Sequence, residues 1–324
     1  MKVLVTGGYG FIGYHLAERL AKDGHDVWII DNCSKDQDTE KADIMFKCLL
    51  DDYSIKYMPI DLTREYSVIG NFLKSNREFD ITYHLAAING TANFYNKAHE
   101  VISNNFLSTM NILNYIRTKK FIFTSSCEAY ASSINDNNIP TKEDIALSIA
   151  DVNNPRWSYG GSKILEELYV KNYCTQKDID YIILRYHNIY GIRDCNLHVI
   201  PALINRIMNA KNDILDIYGD CTRSFLYIKD CVEYTINLCK KGHNDIFNVG
   251  IQKETSISEL AINLLSILDK NMNIKVHNAP IGSVSRRCPD MTKTINKTNY
   301  IPKYDLTSGL KEMIDEYKRV GFVY

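Results

Sequence analysis

The chain has 324 residues, of which 45% are hydrophobic and 24% charged, a composition typical of a globular protein with more than one lobe. Because 38 basic residues balance 39 acidic ones, the net charge of −1 argues against binding of nucleic acid through its phosphates. The nine cysteines show no Cys-x-x-Cys or His-rich spacing, so neither a disulfide framework nor a metal site is predicted. Without a signal-peptide pattern or an apolar run of about 20 residues, the protein is expected to be cytoplasmic.

A glycine-rich turn lies near the start of the chain, between a short apolar strand at residues 3–5 and a helix over residues 14–20. A lone glycine run also marks ordinary turns, so its position between a strand and a helix is what indicates a dinucleotide site. Such a turn lets the backbone approach a pyrophosphate, which the helix N-terminus then receives. The residues predicted to hold the cofactor here are Gly7, Gly10, Phe11, Ile12 and Gly13.

The second predicted strand, residues 27–30, ends at an acidic residue, Asp31, which follows Gly13 by 18 positions. A carboxylate at this place hydrogen-bonds the adenosine ribose and repels a 2′-phosphate. The sequence therefore predicts NAD rather than NADP as cofactor, with Asn32 at the same end of the site. The alternative is that Asp31 is a solvated strand end.

Further apolar strands at residues 55–60, 81–85, 121–123 and 181–184 alternate with helical stretches, as in an α/β fold with a parallel sheet. We expect a doubly wound Rossmann sheet in residues 1–186, with a return near 226–250 left open, and a smaller C-terminal substrate-binding lobe in residues 187–324. Residues that follow strands belong at the carboxyl edge, where cofactors bind, although each is also an ordinary turn residue. The cofactor-binding candidates there are Asp61, Leu62, Ala86 and Ala87.

Tyr159 and Lys163 are spaced so that a phenol and an ammonium share one helical face, and a nearby cation favours the phenolate. Tyr159 begins a helix that follows, after a long loop, the segment 124–130, where a hydroxyl at the strand end can share a substrate proton; Tyr115 precedes that segment, and Tyr173 lies in the tail of the same helix. A tyrosine activated in this way is a candidate general base. The same spacing occurs twice more in a chain with 22 tyrosines: Tyr115/Lys119 and Tyr173/Lys177.

With these motifs, nearly the whole chain resembles the extended short-chain dehydrogenase/reductases of the sugar-nucleotide epimerase and dehydratase group. The resemblance implies that Ser126, Tyr159 and Lys163 oxidise C4 of a nucleotide-diphosphate sugar with NAD to a 4-keto species. It implies a homodimer formed through helices near 105–117 and 159–173. It also implies cofactor contacts from Asn105, Tyr159, Lys163 and Tyr186, and substrate contacts from Asn188, Arg223, Arg287 and Asp290.

The net reaction depends on the step after oxidation, and the residues beyond Ser126 bear on that step. In the 4,6-dehydratases this stretch often reads Thr-Asp-Glu, in which the acid protonates the leaving water and the glutamate removes the C5 proton. Here Glu128 is a candidate base, but Cys127 is a poor substitute for the acid, which weakens dehydration as an alternative.

A 4-dehydrogenase and a 4-epimerase both remain open. Segments 88–95, 153–158 and 187–191 look like a branch associated with bacterial surface-polysaccharide sugars of capsule or lipopolysaccharide, where nucleotide-heptose C4 dehydrogenases use the same scaffold. A non-catalytic NAD-binding protein is a remote alternative, because the Ser, Tyr and Lys candidates all occur in the expected order.

Overall fold

The computed structural model describes residues 1–34, 39–64, 78–194, 198–279 and 284–321. Its strands are β1 (Lys2–Thr6), β2 (Asp26–Ile30), β3 (Lys56–Met58), β4 (Glu78–His84), β5 (Arg117–Ser126), β6 (Asp180–Tyr186), β7 (Ile189–Tyr190), β8 (Ile214–Tyr218), β9 (Thr222–Arg223), β10 (Leu226–Tyr227), β11 (Asp245–Val249), β12 (Thr255–Ser256) and β13 (Asn273–His277). The α-helices in this part of the chain are α1 (Phe11–Lys22), α2 (Thr39–Asp52), α3 (Thr91–Asn96), α4 (Ala98–Tyr115), α5 (Ser158–Lys177), α6 (Val199–Met208), α7 (Ile228–Lys241), α8 (Ile257–Ile267), α9 (Thr292–Thr298) and α10 (Leu306–Val320).

Seven strands form one parallel sheet in the order β11-β6-β5-β4-β1-β2-β3. Both faces are buried, because neighbouring residues of one strand enter different cores: Val3 and Val5 pack on one side and Leu4 on the other. The doubly wound α/β sheet predicted from the sequence is therefore confirmed. The strand order reverses between β1 and β4, and in such sheets the ligand crevice lies outside the carboxyl ends at this point.

The C-terminal part of the chain builds small sheets beside the large one. β13 pairs with β8, β12 with β9 and β10 with β7, while β11 joins the edge of the main sheet beside β6. The segment before α9 then returns to the loop after β5, where the Thr141 N–H donates to Cys288 O at 2.8 Å and the Asp290 N–H donates to Thr141 O at 2.8 Å. The division into two domains stays a prediction.

Two of the predicted helices can be compared directly with the structure. The helix expected over 199–208 is observed as Val199–Met208, and the one containing Tyr159 runs over Ser158–Lys177. None of the helices in the described ranges has the length and apolar content required to cross a bilayer.

Candidate active site

The glycine turn joins β1 to α1 so tightly that a side chain would clash at Gly7 and at Gly13. Gly7 has φ +72°, and a Cβ there would lie 2.7 Å from the Ala86 backbone nitrogen. A Cβ on Gly13 would lie 2.1 Å from the Gly7 carbonyl oxygen, so the helix can approach the turn this closely only with glycine. Gly10 precedes the first residue of α1 and accepts a hydrogen bond from the Tyr14 N–H at 2.9 Å. This bare backbone at a helix N-terminus fits a pyrophosphate, as the sequence predicts.

At the end of β2, both carboxylate oxygens of Asp31 accept backbone hydrogen bonds. The Tyr9 N–H of the glycine turn donates to Oδ2 at 3.0 Å and the Cys33 N–H donates to Oδ1 at 2.8 Å. Asp31 therefore ties the turn to the loop after β2. Asn32 follows it and accepts from the Ser34 N–H at 3.1 Å.

The residues after β3 form a local turn of their own. Asp61 Oδ1 accepts from the Thr63 N–H at 2.9 Å and from its hydroxyl at 2.7 Å, and these bonds outweigh burial, which raises the pKa, so that the pKa of Asp61 is lowered. The buried Leu62 offers its carbonyl to the Asn111 amide at 2.7 Å. The cavity at the carboxyl ends of the strands, described next, is not lined by Asp31, Asn32, Asp61 or Leu62 among the described residues. An adenosine-binding role for these four residues therefore stays a prediction.

A cavity of about 480 Å³ opens at the carboxyl ends of β1, β4, β5 and β6. On one side its wall is the glycine turn with Ala87, and on the other it is the chain after β6. It brings together most of the predicted site residues: Gly7, Gly10, Phe11, Ile12, Gly13, Ala87, Ser126, Cys127, Glu128, Tyr159, Lys163, Tyr186, Asn188, Arg223 and Arg287.

Tyr159 and Lys163 project from the first turns of α5 into this cavity, and both are largely buried, at 7% and 2% exposure. The Tyr159 ring stacks on Phe94 with the centroids 4.9 Å apart, and the Lys163 ammonium lies 5.7 Å from the Tyr159 ring centroid. Burial raises the pKa of Tyr159, and the carboxylates of Glu166 and Glu128 raise it further, whereas a hydrogen bond with Ser126 lowers it. The phenol therefore needs a nearby positive charge before it can act as a base.

Glu128, which follows β5, is held by two arginines. Arg287 donates two hydrogen bonds to its carboxylate, at 2.5 and 2.8 Å, and Arg156 donates one at 2.8 Å. Burial alone would raise the pKa of Glu128, but the two guanidinium groups outweigh it and hold the pKa far below its ordinary value of 4.5. Arg287 also donates to the Cys127 thiol at 3.6 Å. Glu128 is thus a fixed anion rather than a free base.

Three other predicted residues contact the backbone or the core. The Asn188 amide donates to Ser224 O at 3.3 Å, and the Arg223 guanidinium donates to Thr222 O at 2.7 Å and Val284 O at 2.9 Å. The Tyr186 hydroxyl pairs with Thr235 at 2.9 Å. Their side chains are therefore oriented by the protein itself, while each also lines the cavity.

Asn105, Ala86 and Asp290 lie behind or beside the cavity and are not among the described residues that line it. Asn105 is fully buried, accepts from the Ile88 N–H at 2.7 Å and donates to the Ser162 hydroxyl at 3.2 Å. The Asp290 carboxylate accepts from the Thr292 N–H at the start of α9. Asn105 thus fixes the loop after β4 against α5, and Asp290 binds the backbone of the first residue of α9.

Several residues that sequence reasoning missed also line the cavity. Arg156 and Phe94 flank Tyr159 and Glu128, and Asp194, His198 and Arg206 also line the cavity. Arg156 lies in segment 153–158, which resembles the surface-polysaccharide branch of the family, but a single arginine in a loop does not by itself indicate a functional role. Asp194, His198 and Arg206 belong to no motif that can be recognised in the sequence alone.

Together, the parallel sheet, the glycine turn and the Tyr-Lys pair define an NAD-dependent enzyme of the extended short-chain dehydrogenase/reductase type. The chain belongs to the NAD dependent epimerase/dehydratase family, whose model matches residues 3–250. This membership establishes NAD as the cofactor, and the glycine cradle in the structure fits it.

Similar proteins act on several nucleotide sugars. A UDP-N-acetyl-alpha-D-glucosaminuronate decarboxylase from Bacillus cytotoxicus is 33% identical over 98% of this chain and 98% of its own length. A GDP-mannose 3,5-epimerase from Oryza sativa is 30% identical over 99% of this chain and 84% of its own length. The structure of UDP-glucuronic acid 4-epimerase from Bacillus cereus, in complex with UDP-glucuronic acid and NAD, is similar with a TM-score of 0.86 and 26% identity, covering 99% of this chain and 100% of that one.

Proposed function

We propose that the protein oxidises the C4 hydroxyl of a nucleotide-diphosphate sugar to a 4-keto species, as a 4-epimerase or a 4-dehydrogenase in the synthesis of bacterial capsule or lipopolysaccharide sugars. The observation that carries the proposal is that Ser126, Tyr159 and Lys163 meet in one cavity beside the glycine turn. Bound NAD supplies the hydride acceptor. A non-catalytic NAD-binding protein, the remote alternative, would not need these three side chains in the same cavity.

Each of the three side chains has a distinct task. Tyr159 takes the proton of the sugar hydroxyl. Ser126, which forms a hydrogen bond with Tyr159, orients that sugar hydroxyl. The buried Lys163 ammonium supplies the positive charge that favours the phenolate. In epimerisation the same tyrosine returns the proton after reduction on the opposite face of the ketone.

Dehydration is the less favoured alternative, because it requires a base for the C5 proton. The only carboxylate after Ser126 in the predicted position is Glu128, which accepts hydrogen bonds from Arg156 and Arg287 and has a strongly lowered pKa. A carboxylate so held is a weak base. Epimerisation and simple oxidation need no such group.

A second candidate is oxidative decarboxylation of a sugar that carries a carboxylate. A ketone at C4 is β to the C6 carboxylate, so the same oxidation makes loss of carbon dioxide possible. The described lining of the cavity favours an anionic ligand, since Arg156, Lys163, Arg206, Arg223 and Arg287 outnumber Glu128 and Asp194. The Nη1 of Arg156 is buried without a hydrogen-bond partner among the described residues. The similarity to a uronate decarboxylase supports this candidate.

The test is to incubate the purified protein, with and without added NAD, with UDP-, GDP-, CDP- and dTDP-sugars that include heptoses and uronic acids. Unchanged product mass with altered sugar NMR signals identifies an epimerase, loss of two hydrogens with NADH formation a dehydrogenase, loss of carbon dioxide a decarboxylase and loss of water a dehydratase. Absence of any change with every sugar would contradict the proposal.

Substitution of the candidate base gives the matched control. Tyr159→Phe is expected to abolish turnover while NAD binding is retained. Tyr173→Phe alters a tyrosine with the same spacing to a lysine on the same helix, but its hydroxyl donates to Leu113 O at 2.8 Å. It should keep full activity. A Tyr159→Phe protein with full turnover would refute the catalytic assignment.

We propose that the protein forms a homodimer through α4 and α5. These neighbouring helices expose large apolar residues at Ile102, Leu165 and Leu168, whose exposed fractions in the single chain are 44%, 40% and 61%. Apolar groups of this size on adjacent helices favour burial against a second copy.

The cytoplasmic location stays a prediction.

A further inference from the structure

A buried carboxylate lies directly behind the catalytic lysine candidate. Glu166 has no exposed surface, and its Oε2 lies 3.3 Å from the Lys163 ammonium, which is itself 2% exposed. Its other oxygen, Oε1, accepts a hydrogen bond from the Thr109 hydroxyl at 2.6 Å. Two opposite charges removed from water in this way depend on each other. The arrangement therefore fixes the position of the lysine head group.

A hydrogen-bond chain extends from this carboxylate across the sheet. His84 Nε2 lies 3.0 Å from the Thr109 hydroxyl, and His84 Nδ1 lies 2.7 Å from the hydroxyl of Thr6. Burial lowers the pKa of His84 to about 3, so the ring is neutral and carries one proton. Since the Thr109 hydroxyl donates to Glu166, the network assigns that proton to Nε2, with Nδ1 accepting from Thr6.

Every donor in this chain therefore points toward Glu166, an arrangement that stabilises its anionic form. The pKa of Glu166 is nevertheless raised, because burial outweighs the Lys163 ammonium and the Thr109 hydroxyl, which favour the anion. At the other end, the Thr6 hydroxyl oxygen accepts from the Leu85 and Ala86 N–H groups at 3.2 and 3.3 Å, where the loop after β4 meets the glycine turn. The network thus connects β1, β4, α4 and α5. Nothing in the proposed oxidation step by itself requires a carboxylate at this place.

We propose that Glu166 is a positioning residue, which holds the Lys163 ammonium and sets the pH at which Tyr159 takes the substrate proton. This inference rests on the proposed function of Tyr159 as base. The physical reason is that the Glu166 anion offsets part of the positive charge that Lys163 presents to the phenolate.

Other charged groups face this site from the elements packed around it. Glu167 follows Glu166 on α5, but it pairs with Arg185 through two hydrogen bonds at 2.9 and 2.7 Å. His84 on β4 is neutral, and Glu128 after β5 is neutralised by its arginines. Among the described residues, Glu166 is thus the carboxylate that forms an ion pair with the Lys163 ammonium.

The decisive measurement is the pH profile of kcat/KM between about pH 5 and pH 10 for the full-length holoenzyme. In Glu166→Gln, loss of the anion should shift the acid limb toward lower pH by about one unit, as expected for one charge in a medium of effective dielectric constant about 20. Glu167→Gln is the matched control, a neighbouring buried carboxylate paired elsewhere, and its acid limb should stay at the wild-type position. Thermal unfolding and NAD binding confirm that each variant is folded.

An unshifted or upward-shifted acid limb in Glu166→Gln would overturn the inference, as would an equal shift in the Glu167→Gln control. If Glu166→Gln does not fold, Thr109→Val removes the hydrogen bond that stabilises the anion and should shift the limb in the same direction by less. No shift in a folded Thr109→Val protein would then overturn it. Failure of the wild-type enzyme to oxidise any sugar would instead refute the proposed function on which the inference rests.

Discussion

Replacing Glu128 by glutamine removes a charge that two buried arginines share, while the side chain keeps its shape. The Glu128 side chain is 13% exposed, and those of Arg156 and Arg287 are 11% and 3% exposed. The glutamine keeps one acceptor oxygen where the carboxylate has two, its amide NH2 faces a guanidinium donor, and both guanidinium groups lose their counter-ion. We therefore expect the free energy of unfolding to fall.

The size of the loss follows from the burial of the cluster. Breaking a buried ion pair from one side costs about 3–5 kcal/mol, and the slight exposure of Glu128 favours the lower value of about 3 kcal/mol. With an unfolding entropy of about 2.1 cal/mol/K per residue over the chain, this corresponds to a decrease in Tm of about 4 °C.

Thermal unfolding followed by circular dichroism measures this shift, and the adjacent arginine provides the control. Arg286 pairs with Glu254 near the surface, where the side chains are 41% and 25% exposed, so Glu254→Gln should cost less than about 1 kcal/mol. The arginines hold the pKa of Glu128 below its ordinary value of 4.5, so its stabilising effect is complete above that pH and is lost as the pH falls below it. Equal Tm decreases in the two variants would refute the reasoning.

Further substitutions test the cofactor turn and the proposed dimer. Gly13→Ala should weaken NAD binding about tenfold or more by calorimetry, because its Cβ would lie 2.1 Å from the Gly7 oxygen, whereas Gly161→Ala meets only a contact at 4.0 Å and should bind normally. Wild-type affinity in Gly13→Ala would contradict the assigned role of the turn. Leu168→Glu should give a monomer by light scattering, while Ile262→Glu, at an equally exposed apolar position on α8, should leave the dimer intact. A dimer that persists in Leu168→Glu would exclude α5 as the interface.

The parts of the fold that the sequence predicts are those that depend on neighbouring residues. The glycine turn needs only a strand, a helix and their spacing, and the choice of Tyr159 over the other two pairs needs only its place at the start of the helix that follows the strand-end hydroxyls. In the structure Lys119 lies on β5 while Tyr115 lies on α4, so that pair does not share a helix face. Strand β5 begins at Arg117 rather than at 121. The sequence does not reveal this earlier start because Lys120 is charged, whereas in the structure its ammonium donates to the carbonyls of Cys239 and Gly242.

The electrostatics of the site could not be predicted, because they arise from residues far apart in the chain. Glu128 meets Arg156 and Arg287, which follow it by 28 and 159 positions. The hydrogen bonds that hold Glu166 exist only because Thr109 and His84, which are distant in sequence, pack behind α5. A carboxylate next to a lysine in sequence gives no sign of whether water or a buried network surrounds it.

The return of the chain to the loop after β5 also makes the site depend on a late part of the sequence. Residues 3–250, which the family model matches, include the main sheet except Lys2 and contain the Tyr159–Lys163 pair, but they do not include Arg287 or the neighbouring Cys288 and Asp290, which bond to the Thr141 backbone. Of the two arginines that hold Glu128, only Arg156 lies within the matched residues. The wall of the cavity therefore depends on the segment near residue 290, so a chain truncated after residue 250 would keep the Tyr159–Lys163 pair but lack one of the arginines that line the cavity.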